Sequence, residues 1–276
     1  MQGIVSQLII LYSSSVFITF TLSMLGVGIY WITRRKGWFW PLHSLIAIAG
    51  FLICLAILAM MISTKFTQGG WISIVINGSI IVIGLLIKNH YRLVKKQIKR
   101  LDKLFYYPLE KKRDFIPRLE SSRPTAVFFV GDSIGEGMHT LLSMRRMFPD
   151  YFCNYVFVSI GVVDVNSYES EKTLAKMEKK VKQRLQYFVD YSHQLGLPAT
   201  AYYGFGTDPV SELDELSDKV IKEFPSSIFF AAKLILKNET ALTRLLQNET
   251  PMSVQRHLLL RGIRMIILPV QVNLKD

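Results

Sequence analysis

The chain has 276 residues, half of them hydrophobic, with 33 Lys and Arg against 21 Asp and Glu, a net charge of +12 and a mean hydropathy of +0.27. A basic excess of that size can serve nucleic acid, but here it is confined to one region: the first charged residue is Arg34 and no acidic residue precedes Asp102. Basic flanks of apolar runs explain it better, so no nucleic-acid partner is expected, and the length suits about two units at ~100–200 residues each.

From Gly3 to Thr33 there is no charge, and the run closes on Tyr30-Trp31-Ile32-Thr33-Arg34-Arg35-Lys36. That pattern predicts a membrane span over about 5–33, with an aromatic belt and a basic stop. No basic stretch precedes the run, which is also too long for a signal peptide, so cleavage is not expected. Its Ser, Thr and Gly content, from Leu11 to Gly28, predicts a face packed on other helices, with hydroxyls bonding across.

A second span is predicted over 42–62 behind Trp38, Phe39 and Trp40, and a third over 71–87, uncharged from Trp71 to Ile87. Asn77 in the third reads as a helix–helix contact rather than a substrate ligand. Lys and Arg are plentiful at 34–37 and beyond 88 and sparse at 64–70. Positive charge is retained inside, so the N-terminus is expected outside and everything after Lys88 in the cytoplasm of a cell whose inner (plasma) membrane holds the spans. Domain 1–88 is thus three transmembrane helices. Residues 89–122 form a basic connector in which Leu93, Ile98, Leu101, Leu104 and Phe105 recur at helical spacing, predicting an amphipathic helix on membrane lipid until Pro108 and Pro117.

From Arg123 the pattern changes to strands alternating with helices. Strands are predicted over 125–130, 155–163, 199–203, 227–231 and 265–270. Helices are predicted over 138–147, 170–195 with Gly196 as its C-cap, 208–224 behind Asp208-Pro209, 239–248 and 251–261. The fold class expected is therefore an α-helical membrane region followed by a soluble α/β domain, 123–276, with a mostly parallel sheet.

Candidate chemistry concentrates in Gly131-Asp132-Ser133-Ile134-Gly135-Glu136-Gly137, between the first strand and its helix. Gly131-Asp132-Ser133-Ile134 resembles the opening of a GDSL-type hydrolase, but a serine nucleophile needs a base. Position 254, where that family's Asp-x-x-His would start ahead of His257, is Val254, so no enzyme activity is expected. The same loop can offer backbone N–H groups to a phosphate, which makes Gly131, Asp132, Ser133, Gly135 and Gly137 candidate ligand-loop residues for a nucleotide. It matches neither a Walker loop nor Gly-x-Gly-x-x-Gly, and a tight strand-to-helix turn explains it better. His139, His193 and His257 are too scattered for a metal, and no cofactor is expected. Cys54 and Cys153 read as buried, reduced, small hydrophobes.

Several stretches carry a family likeness. Leu11-Tyr-Ser-Ser-Ser-Val-Phe-Ile-Thr-Phe-Thr-Leu-Ser23, Thr64-Lys-Phe-Thr-Gln-Gly-Gly-Trp-Ile72 and the His90-Tyr91 exit resemble the last three helices of a twelve-helix permease of the amino acid–polyamine–organocation superfamily. Gly161-Val-Val-Asp164, Gly196-Leu-Pro198, Phe229-Phe-Ala-Ala-Lys-Leu234 and Arg261-Gly-Ile-Arg-Met-Ile-Ile-Leu-Pro-Val270 resemble the cytosolic domain fused to one bacterial branch, which is similar to a universal stress protein. The resemblance implies the C-terminal part of a LeuT-like fold without the broken helices that hold substrate. It therefore implies a chain not competent for transport alone, partnered by the missing N-terminal helices or by a second copy. Secondary amino-acid uptake is the implied activity, with potassium or another cation as the alternative cargo and a regulatory or dimerising cytosolic domain. A membrane-tethered nucleotide or second-messenger module is the other alternative.

Overall fold

The computed structural model describes residues 2–34, 39–66, 70–107, 117–163, 171–236 and 249–272. The chain divides into two compact units, Met1–Asn89 and His90–Asp276.

The first unit is built on three helices: α1, Gln2–Arg34; α2, Trp40–Lys65; and the first half of α3, Gly70–Phe105. All three are long and apolar enough to cross a membrane. Most of their large side chains are exposed, among them Leu45, Met60, Ile80 and Leu85, as expected of surfaces solvated by lipid tails. α1 and α2 pack against each other, and the buried positions on them are small: Ser14, Thr21, Ser44 and Ala47. Small side chains let helix backbones approach, which is where attraction between helices in lipid comes from.

The hydroxyls of α1 divide between bonds within the helix and a bond across helices. Ser13 donates to Ile9 O (2.7 Å), Thr19 to Ser15 O (2.9 Å) and Thr21 to Phe17 O (2.7 Å), all within α1. The carbonyl one turn back is the nearest acceptor for a helical hydroxyl, and it wins here. A bond across helices does form at Asn77, whose Nδ2 donates to Ser15 Oγ at 3.0 Å, in keeping with its reading as a helix–helix contact.

α3 does not stop at the predicted end near 87. The helix continues through the basic stretch to Phe105, because good helix formers such as Lys, Arg, Gln and Leu fill the second half without a Gly or Pro. The amphipathic connector is thus the continuation of the third apolar helix over 89–105, and Pro108 lies outside the described residues.

The second unit holds a five-stranded sheet with every pairing parallel. Its strands are β1 (Thr125–Phe129), β2 (Asn154–Val162), β3 (Ala199–Gly206), β4 (Ser227–Leu236) and β5 (Met265–Val272), in the order β3-β2-β1-β4-β5. Between them lie α4 (Ile134–Met147), α5 (Glu171–Gln194), α6 (Pro209–Glu223) and α7 (Thr250–Leu260). The helix expected at 239–248 lies outside the described residues.

Strand alternation sorts the core into two layers. Ala126 and Phe128 of the first strand and Val130 just beyond it, with Tyr155 and Phe157 of the second, pack on Met138 and Leu141 of α4 and Leu185 and Phe188 of α5. Val127, Val156, Val158 and Phe229 face the other way, onto Leu213, Leu216 and Val220 of α6 and Val254 and Leu258 of α7. A sheet covered on both faces explains why β1 is buried nearly throughout and reads as a continuous apolar run.

Three boundaries correct the sequence reading. α4 begins at Ile134, not near 138, because Ser133 caps it by accepting from Glu136 N at 3.0 Å. β3 and β4 run several residues beyond their predicted ends, paired in register with β2 and β5. The α5 terminus follows expectation, with Gly196 at φ 76°, the left-handed conformation that glycine adopts without strain. Cys54 and Cys153 are free thiols, but half-buried rather than buried.

Candidate functional site

In an open parallel sheet the strand order reverses at one point, and a crevice opens there beyond the carboxyl ends of the strands. Here the reversal falls at β1 and β4, and a cleft of about 640 Å³ lies there. Val130 and Gly131 after β1, Ile160 and Gly161 of β2 and Ala231 of β4 form its floor. The starts of α4, α6 and α7 reach it through Asp132 and Glu136, Pro209, and Thr250 and Pro251. Helix N-termini carry partial positive charge, so three of them converging favours a negative ligand.

The wall from α5 strengthens that bias. Lys176, Lys180 and Arg184 recur at one-turn intervals on the same face and line the cleft. Arg184, with its side chain only 11% exposed, donates from one guanidinium nitrogen to Asp132 (2.6 Å) and from the other to Ser159 Oγ (3.3 Å). Its Nε is buried and has no hydrogen-bond partner among the described residues. The Asp132 carboxylate is fully exposed, so its pairing with Arg184 is worth little against water.

Among the described residues that line the cleft, Glu136 is the half-buried carboxylate. Burial, and then the nearby charges of Asp102 and Asp132, push its carboxyl up to about 7. It therefore changes charge in the physiological range, where ordinary glutamates stay ionised.

The five candidate ligand-loop residues divide between two surroundings. Gly131, Asp132 and Gly137 line the cleft. Ser133 and Gly135 do not: both are buried and face the end of α3. Asp102 accepts from Ser133 Oγ at 2.7 Å and from Gly135 N at 2.8 Å, so a carboxylate of the chain itself caps α4 and occupies these two donors. Ser133, with Asp102 as acceptor and Glu136 N as donor, has the bonds of an N-cap. Gly137 has a packing role as well: a Cβ there would lie 2.5 Å from Cζ of Phe188.

The sequence reading missed two contributors. Lys176, Lys180 and Arg184 repeat at helical spacing in the sequence, but their position over the cleft depends on the register of α5 on the sheet. Asp102 stood among basic residues of the connector, and nothing local tied it to a loop thirty residues on. No group of three or more His, Cys, Asp or Glu suited to a metal occurs among the described residues.

No family model matches the chain. Over 102 residues it is 36% identical to the potassium transporter KimA of Bacillus subtilis (strain 168), a match covering 37% of this chain and 16% of that protein. The chain thus spans about a sixth of the length of the curated relative it matches. That likeness to a transporter, together with three apolar helices, marks the chain as a membrane protein.

Proposed function

We propose that the chain is part of a permease for potassium or a related cation, with the α/β unit as its regulatory domain in the cytoplasm. The observation that carries this is the 36% identity to a potassium transporter, on a chain whose N-terminal helices are of spanning length and apolarity. It favours a cation over the amino acids implied by the wider superfamily likeness. The orientation rests on Lys and Arg crowding after Lys88, which favours that side as cytoplasmic. On this reading the helices of substrate binding come from other transporter segments or a partner copy, anionic lipid meets the basic half of α3, and the chain performs no catalysis.

The regulatory ligand best suited to the cleft is a small phosphate-bearing molecule of the nucleotide class. Lys176, Lys180 and Arg184 supply charge, the three helix starts add the positive ends of their dipoles, and Gly131 leaves room for close approach.

Transport is tested by replacing the corresponding segment of the potassium transporter with this chain, in cells lacking their own potassium uptake. Growth at low potassium and uptake of labelled rubidium are expected, against none when the segment is deleted. Uptake of labelled amino acids without rubidium would return the chain to the amino-acid reading. Ligand binding is tested separately by thermal shift of the detergent-solubilised chain with nucleotides and cyclic dinucleotides, and Lys180→Glu should abolish any shift. An identical shift in that variant rejects the cleft.

A further inference from the structure

The end of α3 is seated on the second unit by contacts of two kinds. Phe105 packs against the core and meets the His139 ring edge-on at 5.8 Å, while Tyr106 stacks on Tyr187 at 5.3 Å. Tyr107 N donates to the Tyr187 hydroxyl at 2.9 Å. Burial holds the His139 ring below the ordinary histidine range, so these contacts stay neutral as pH rises. The second kind is charged: Asp102 on Ser133 and Gly135, with Glu136 in the next position along α4.

We propose that this junction is a releasable latch, in which the Asp102 carboxylate holds the end of α3 on the first turn of α4 and the protonation of Glu136 decides how firmly. The charges facing Glu136 settle the direction. Asp102 comes from α3 and Asp132 from the β1–α4 loop, both negative, while Lys176, Lys180 and Arg184 share the cleft from α5. α6 and α7 bring no charged side chain to the cleft. Burial and the two carboxylates outweigh the cations, since the proton is held up to about pH 7. With its proton, Glu136 is neutral beside Asp102 and the latch is closed. Ionised, it sets a second buried negative charge against Asp102, and letting go of α3 moves that carboxylate away. The latch therefore closes below about pH 7 and loosens above it.

This device does not depend on which ion or solute the assembled transporter carries. α3 is one unbroken helix from Gly70, so its cytoplasmic-side end is the continuation of an apolar span. The junction is thus a two-state contact at a helix end, of the kind that ligands and protons bias in switching proteins.

The test uses the full chain in detergent, with Cys54 and Cys153 replaced by Ser and a nitroxide on Leu104→Cys, an exposed position next to the contacts. The mobile fraction of the label should rise between about pH 6 and about pH 8, with its midpoint near the Glu136 titration. Glu136→Gln should hold the label immobile across that range, and Asp102→Ala should give the high-pH mobility at every pH. A label on Gln183→Cys, exposed on α5, should stay unchanged throughout and reports that the domain remains folded. A pH response surviving in Glu136→Gln, or an immobile label in Asp102→Ala, overturns the proposal.

Discussion

The backbone of Leu101 passes so close to Gly135 that a Cβ at that position would lie 2.6 Å from the Leu101 carbonyl carbon. Neither partner is the free end of a flexible side chain, so one backbone must shift if the hydrogen is replaced. Gly135→Ala should therefore destabilise the second unit by about 1–3 kcal/mol, the usual cost of overpacking. Denaturant unfolding of the full chain in detergent, followed at the α/β unit, checks it. An unchanged midpoint would mean that α3 does not seat there.

Asn154 carries a second structural knot. It is 1% exposed, donates from Nδ2 to Glu120 O (2.7 Å) and Thr125 Oγ1 (3.0 Å), and accepts from Glu120 N (3.1 Å). Asn154→Leu takes the acceptor from Glu120 N and removes the bonds to Glu120 O and Thr125 Oγ1 at the entry to β1. A loss of about 1–3 kcal/mol is expected, read as a lower unfolding midpoint with an unchanged denaturant slope.

Glu136 gives the stability of the second unit a pH dependence of known sign. Its carboxyl stands at about 7 in the folded chain against 4.5 when unperturbed. The folded state binds its proton more tightly, so this contribution is fully present below about 4.5 and is lost as pH rises through about 7. Unfolding midpoints should fall over that window and level off above it. In Glu136→Gln the slope should flatten, and a wild-type slope in that variant would fix the origin elsewhere.

Within the first unit, the bond from Asn77 to Ser15 links α3 to α1. Interhelical hydrogen bonds in membrane proteins are worth about 0.6 kcal/mol on average, so Asn77→Leu should lower the thermal midpoint in detergent modestly rather than unfold the protein. Ser15→Ala should cost a similar amount, and the double variant less than the two costs added, since the two side chains share this bond.

Much of this architecture was legible from local pattern because each rule involved acts at short range. Uncharged runs longer than a bilayer mark spans, alternation of apolar strands and amphipathic helices marks a parallel sheet, and Asp208-Pro209 and Gly196 mark helix ends. The start of α4 was misplaced for a local reason: Gly135 and Gly137 read as loop, although Ser133 is a good cap. Glycines there serve contact, against Leu101 and Phe188, and a contact partner leaves no trace nearby in sequence.

What the amino-acid order determined alone was the division of the chain by solvent: apolar helices first, basic continuation next, α/β unit last. Hydrophobic length and charge act on each segment separately, so no neighbour is needed to read them. Only the tertiary structure decided that Lys176, Lys180 and Arg184 stand over the crevice at the strand reversal, and that Asp102 occupies the first turn of α4. Those placements depend on the register of helices on a sheet, where residues far apart in the chain meet. A shift of one residue along either helix would turn the same side chains to a different face.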